Sequence, residues 1–309
     1  MTEIRISDSP SASNWASIAA LGVIWGGTFM VVSIALEGYG PLTVAAARTT
    51  LGALALLGLM VALGRPLPTR AAWPYILIIG ALNSALPFSL LSWGQQYVPS
   101  AFAGISMAAL PLFVLPLAHV FSDEKMDRRR VIGVAVGFLG ALTLVGPNLG
   151  AAFQMGTLQG WEVLAPLACL AATISYAVSS VMTRTCPAVD PISLAGTTLA
   201  VGAVLILPAM LIVEGLPQWQ GLRSGGAIIV LGLFPTALAA LLRVSVIRSA
   251  GAVFMTLVNY QVPLWSVFFG WLILSEDLPL RFFVALGLIL CGVAISQWKT
   301  VIRILGPRA

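Results

Sequence analysis

Four prolines stand in the middle of long apolar runs: Pro87, Pro111, Pro235 and Pro263. A proline inside a helix removes one backbone donor, frees a carbonyl and bends the axis. In hydrocarbon such a carbonyl must meet something polar, so backbone of this kind belongs where it lines a cavity. The four are therefore candidate hinge or gating positions. Neutral polar side chains gather at a similar depth: Thr28, Asn83, Ser84 and the run Asn259-Tyr260-Gln261. Serine and threonine there often only pack helices, whereas Asn and Gln are costlier to bury. Successive helical residues point about 100° apart, so at least one member of the 259–261 run serves packing. Trp25, Trp93, Tyr176 and Trp265 are the aromatics expected nearest a binding site, where they would stack on flat ligands or hold a cation on their faces. Trp15, Trp73, Trp161, Trp219 and Trp298 lie at run ends and fit an interfacial belt. Arg48 is the deepest charge, about two turns inside its run. It either snorkels outward or meets a substrate carboxylate. Arg243 lies near a run end and is expected to snorkel.

What is missing is as informative. Of eleven Asp and Glu residues, none falls at mid-run. Glu124 and Asp127 precede a helix start, where they would favour its N-terminus and pair with Arg128, Arg129 and Arg130. The single histidine, His119, has no buried carboxylate with which to form a proton relay. Cys169, Cys186 and Cys291 are scattered and suggest neither a disulfide framework nor a metal cluster. No G-x-x-x-x-G-K-[ST] loop occurs, so no ATPase subunit is implied. A membrane enzyme would need a buried Asp pair, a Ser–His pair or an H-E-x-x-H zinc site, and none is visible. No catalytic residue, cofactor or metal is expected. Selectivity filters of ion channels come from repeated subunits, and no filter-like segment appears.

The elements that must hold these residues follow from composition. The chain has 309 residues, 59% hydrophobic and only 9% charged, with a mean hydropathy of +0.99. A soluble domain carries about 25% charged residues. Lipid must be the solvent for most of this chain, which argues against a nucleic-acid partner despite the net charge of +5. A spanning helix needs about 20 apolar residues. Ten runs qualify, here called segments 1 to 10: 15–36, 41–63, 72–95, 99–121, 130–147, 161–183, 191–213, 224–247, 251–274 and 281–300. No loop between them is long enough for a soluble domain. Segment 1 is too long for a signal-peptide core and lacks a basic stretch directly before it, so it reads as a retained span.

Basic residues fix the expected orientation. With both termini cytoplasmic, the inner face receives Arg5, Arg65, Arg70, Lys125, Arg128, Arg129, Arg130, Arg184, Arg248, Lys299, Arg303 and Arg308; the outer face receives Arg223 and Arg281. That imbalance is a strong positive-inside signal. The halves also repeat. At a gapless offset of 152, Gly80 meets Gly232, Asn83-Ser84 meets Pro235-Thr236, Pro111-Leu112 meets Pro263-Leu264, Glu124 meets Glu276 and Gly140 meets Gly292. Five segments per half is an odd number, so the second copy would be inverted relative to the first. Inverted repeats are characteristic of transporters. The expected fold is thus an all-α membrane protein of ten transmembrane helices in two inverted five-helix repeats, 15–150 and 151–300, with cytoplasmic tails 1–14 and 301–309.

The motif Trp25-Gly26-Gly27-Thr28-Phe29, followed by Pro111, Glu124, Gly133 and Gly140, resembles the EamA family of the drug/metabolite transporter superfamily. Pro263, Glu276 and Gly292 resemble that family's second repeat, although Ala285 stands where Gly133 has its counterpart. The resemblance implies a ten-helix exporter of amino acids and other small metabolites, and the aromatic-rich segments suggest the aromatic amino-acid exporters. The expected function is export of small amphiphiles, neutral or aromatic amino acids foremost, by alternating access through a central cavity. A multidrug or other metabolite exporter of the same architecture is the alternative, a membrane-embedded enzyme a more distant one. With no acid at mid-run, facilitated export down a gradient is open. The expected setting is a bacterial inner membrane, the partners a small-molecule substrate and the bilayer, the assembly a monomer or homodimer. Gly133-x-x-x-Gly137 is expected to pack closely on a neighbouring helix.

Overall fold

A computed structural model describes residues 11–121, 126–155 and 160–298, and among them it contains helices and no strand. Eight helical stretches are long and apolar enough to cross a membrane: Ala12–Leu36, Pro41–Ala62, Arg70–Gly94, Ser100–Phe121, Arg128–Pro147, Val163–Thr185, Pro191–Val213 and Gly221–Ile247. They correspond to segments 1 to 8. Segments 9 and 10 supply two shorter apolar helices, Val258–Leu274 and Leu280–Ser296. Glu124 and most of both tails lie outside the described residues.

Each helix begins where local chemistry allows. Ser11 accepts from Asn14 N–H at the start of segment 1. Asp190 accepts from the N–H groups of Ile192 and Ser193, with Pro191 in the first turn of segment 7. These side chains satisfy donors that a helix start leaves free. Segments 2 and 4 cannot cap themselves, because Gly40 and Pro99 stand at their N-cap positions. Carboxylates from far along the chain do it instead. Glu214 takes Leu42 N–H at 2.9 Å and Thr43 N–H at 2.8 Å. Glu276 takes Ser100 N–H at 2.6 Å and Ala101 N–H at 3.1 Å. Both braces lie on the face expected to be outer, together with the Arg223–Glu37 ion pair at 2.7 Å. On the opposite face Arg65 approaches Asp190 at 3.7 Å.

The prolines act in three different ways. Segments 3 and 8 remain helical but shift to π register at Ala81–Ala85 and Gly232–Leu238. The offset of 152 lays the first of these stretches inside the second. Segment 4 breaks at Ala109, two residues before Pro111. Segment 9 departs from the expectation. Its helix runs straight through Pro263, and the interruption comes earlier, at Thr256–Leu257 between Ala252–Met255 and Val258–Leu274.

Packing pairs segment 2 with 7, 5 with 10, 1 with 9, 4 with 6 and 9, and 3 with 6. Segments 5 and 10 meet through glycines. A methyl group on Gly292 would lie 2.5 Å from Gly133 O and from Gly137 N. Gly140 faces Ala285 and Ile289. The partner number falls as the residue number rises, so these helices are antiparallel. Segments 2 and 7 behave alike: Gly196 faces Leu56 and Leu57, while Gly202 faces Thr49. The main apolar core gathers residues of segments 1, 3, 4, 5, 6, 8, 9 and 10, and a second joins 2, 3, 7 and 8. Tyr176 packs against both.

Candidate functional site

The π stretches are the local cause of the site. A π register moves backbone donors one carbonyl back, and single π turns recur at functional positions in helices. In segment 8, Ala239 N–H reaches back five residues to Phe234 O. Pro235 has no N–H, and the carbonyl it would have served is bonded by a side chain instead: Thr236 Oγ1 donates to Leu231 O at 2.8 Å. The Pro235 carbonyl itself accepts from Trp25 Nε1 at 3.1 Å. Segment 3 has a related arrangement. Leu86 N–H reaches five residues back to Ala81 O, Pro87 has no donor for the next carbonyl in that register, Leu82 O, and Ser175 Oγ supplies one at 2.7 Å. Leu82 O and Pro235 O are thus tied to neighbouring segments, and Leu231 O to a side chain of its own.

Arg48 sits on this framework. It is only 8% exposed. Its Nε donates to Thr236 Oγ1 at 3.1 Å, and its guanidinium carbon lies 3.9 Å from the centre of the Phe88 ring. That places a planar cation over an aromatic face. Tyr176 is close enough to interact with it electrostatically. Among the described residues no carboxylate pairs with Arg48. Its Nη groups carry four further donors. Among the described residues they make no hydrogen bond, yet they are not sealed from solvent, so they reach space that a water-sized molecule can enter.

Other expected residues fall in different places. Trp25 joins the Arg48 framework through Pro235, and Tyr176 lies within electrostatic reach of Arg48. Thr28 donates to Ile24 O of its own helix at 2.9 Å. Ser84 is fully buried and donates to Gly80 O and, across to segment 7, to Thr198 O. Asn83 is half-buried beside it. Trp93 lies at the end of segment 3 with Tyr97 and Trp161, ring centres 5.5 and 5.7 Å away. Tyr97 and Trp161 are exposed, so Trp93 belongs to an exposed aromatic group at the end of its segment. Trp265 packs on Gly26 and stacks on Phe269 at 5.6 Å. The 259–261 run divides as its helical angles require: Gln261 lies against Gly22, the Tyr260 hydroxyl is sealed without a partner, and Asn259 is half-buried. Pro87, Pro111, Pro235 and Pro263 are all buried. Arg243 is exposed, unlike Arg48.

Sequence reasoning missed Phe88 and Thr236 as members of the framework, and Glu214 and Glu276 as caps. Thr236 carried a signal, since a hydroxyl directly after a mid-run proline can reach the carbonyl that proline leaves free. The caps carried one too: helix starts at Gly40-Pro41 and Pro99-Ser100 lack acceptors of their own. An open recess of about 430 Å³ lies beside Glu214, lined by Tyr39, Gln220 and their neighbours; Arg48 is not on its wall.

Comparison with known proteins adds the following. The model of the EamA-like transporter family matches twice, over residues 14–146 and 163–298. The uncharacterized transporter YoaV of Bacillus subtilis is 24% identical over 285 residues, 91% of this chain and 95% of that protein. The uncharacterized inner membrane transporter YedA of Escherichia coli K12 is 29% identical over 91% of this chain and 89% of its own length. A probable terminal-alkyne amino-acid exporter of Streptantibioticus cattleyicolor is 27% identical over 95% and 96% of the two chains. A solved crystal structure, 21% identical, superposes with a TM-score of 0.65 over 95% of this chain and 100% of that one.

Proposed function

The chain belongs to the EamA-like transporter family, and from that membership we propose that it exports small amphiphilic metabolites, neutral or aromatic amino acids among them, by alternating access. It is an integral multi-pass membrane protein, and the bacterial inner membrane is the setting its Escherichia coli and Bacillus relatives support. The observation that carries the reading is Arg48: a buried cation with no counter-ion among the described residues, where irregular stretches of segments 3 and 8 are cross-braced by segments 1 and 6. Intramembrane charge is costly and by default functional. Trp25, Arg48 and Tyr176 are the residues assigned to substrate from the expected set, with Phe88 and Thr236 added to them.

The ten segments form two inverted five-helix repeats in this reading. What supports inversion is the packing of two helices on their own counterparts. Segment 5 packs antiparallel on segment 10, and segment 2 antiparallel on segment 7. A helix antiparallel to its own copy requires a two-fold axis across the helices, hence in the membrane plane. The framework is symmetric; the chemistry is not. Arg48 has Ala200 as its counterpart, Phe88 has Ala240 and Trp25 has Ala177. The outer face is held shut by Glu214 and Glu276, and Pro111 and the turn at Thr256–Leu257 are the points about which segments 4 and 9 flex.

The test is efflux from proteoliposomes loaded with a mixed amino-acid and metabolite set, followed by mass spectrometry. Protein-dependent loss of one or more solutes is expected, and it should persist when the pH gradient is collapsed. Efflux equal to that of protein-free vesicles for every solute would overturn the reading.

A further inference from the structure

We infer that the Arg48 site selects amphiphiles that carry a carboxylate without a neighbouring ammonium, in preference to zwitterions of the same shape. The inference rests on the transport reading above and narrows its substrate class, ranking amino acids below carboxylates of the same shape that lack the ammonium. It starts from a charge inventory. The guanidinium is a full positive charge, 8% exposed. Its bonded neighbour, the Thr236 hydroxyl, is neutral and already donates to Leu231 O. The Phe88 ring covers one face of it, and Tyr176 lies within electrostatic reach. Among the described residues the carboxylates lie at helix ends, where Glu37, Asp190, Glu214 and Glu276 each have partners of their own. Nothing there balances Arg48.

An ammonium needs acceptors, and each of the obvious ones here already accepts a side-chain hydrogen bond, which leaves it at most one lone pair for a cation. The carbonyls disturbed by the prolines would be the natural cradle for a cation. Leu82 O holds Ser175, Leu231 O holds Thr236, and Pro235 O holds Trp25. The Nη groups, by contrast, are donors without partners. One guanidinium edge matches one carboxylate through two parallel hydrogen bonds. A monoanion entering there neutralises the site. A zwitterion leaves the net charge unchanged and sets its ammonium against a like charge in a poorly screened setting. The aromatic neighbours fit a flat or apolar body beside the carboxylate.

Phenylpyruvate and phenylalanine make the matched probes, since they differ in an oxo group against an ammonium on the same skeleton. Initial rates of each are measured with radiolabel in proteoliposomes of the full chain, with protein-free vesicles subtracted. The expected result is phenylpyruvate faster by about tenfold or more, the factor that 1.4 kcal/mol supplies. R48Q should reduce that ratio to near unity, and R48K should keep a preference for the anion. Equilibrium dialysis of the detergent-solubilised wild type should give the same order of affinities, independent of any variant's folding. Phenylalanine moving as fast as phenylpyruvate or faster in the wild type would overturn the inference and leave the transport reading standing. An unchanged ratio in folded R48Q would overturn it as well. Absence of flux for these two and for every solute of the mixed set would overturn both readings.

Discussion

Replacing Glu276 by Gln should loosen one face of the protein without unfolding it. Glu276 gives one carboxylate oxygen to Ser100 N–H and the other to Ala101 N–H, at 2.6 and 3.1 Å. Pro99 offers no alternative acceptor at that helix start. A hydrogen bond to a charged group contributes about 1.5–3 kcal/mol, and a negative charge at a helix N-terminus about 0.3–1 kcal/mol. Gln keeps one acceptor oxygen and loses the second together with the charge. The side chain is only half-buried, so solvent screening favours the lower end, about 2 kcal/mol. At 1.4 kcal/mol per decade this shifts the closed-to-open equilibrium of that face by roughly 30-fold. Hydrogen–deuterium exchange reads it directly. The peptide carrying Ser100 and Ala101 should exchange faster by about that factor in E276Q, with the segment 2–7 and 5–10 interfaces unchanged. Unaltered exchange in that peptide would refute the brace. Equal acceleration throughout the protein would refute its local action.

Other perturbations test the remaining elements. Arg48→Met removes one hydrogen bond and the stacking on Phe88, together about 2–4 kcal/mol, but relieves a desolvation cost of several kcal/mol. A modest rise in Tm with loss of transport is expected, and a clear fall in Tm would contradict an uncompensated charge. Gly292→Ala places a methyl group against backbone of Gly133 and Gly137, which cannot retreat. It should cost about 1–3 kcal/mol by thermal unfolding, whereas Gly287→Ala, which meets nothing within 4 Å, should not destabilise. Trp25→Phe removes the donor to Pro235 O and leaves a carbonyl unpaired, at about 1–3 kcal/mol. Flux should fall while circular dichroism stays native; unchanged flux would remove Trp25 from the pathway.

The sequence is most legible where the physics is local. Apolar runs located eight helices of spanning length and the two shorter apolar helices after them, because nothing else keeps so few charges in a folded chain. Arg48 and Pro235 stood out because each is costly where it stands. What escaped depends on partners distant in the chain. Glu214 and Glu276 look like loop acids until the helix starts at Pro41 and Ser100, over 170 residues earlier, are folded against them. Phe88 is one apolar residue among many until Arg48 is laid over it. Trp93 is distinguished from Trp25 by Tyr97, four residues on, and by Trp161, a contact that no spacing reveals. The π stretches leave no period in the pattern, since a single register shift is shorter than the window in which periodicity is read. Pro263 shows the opposite error: its ring sits inside an unbroken helix, and the break falls at Thr256–Leu257.

Solute efflux from wild-type and R48Q proteoliposomes, matched for protein content and native circular dichroism, bears most directly on a transport pathway that passes Arg48. The wild type should release a defined subset of an encapsulated solute mixture, and R48Q should release its carboxylate-bearing members at least about tenfold more slowly. Equal release by the two proteins would contradict the placement of the pathway at Arg48.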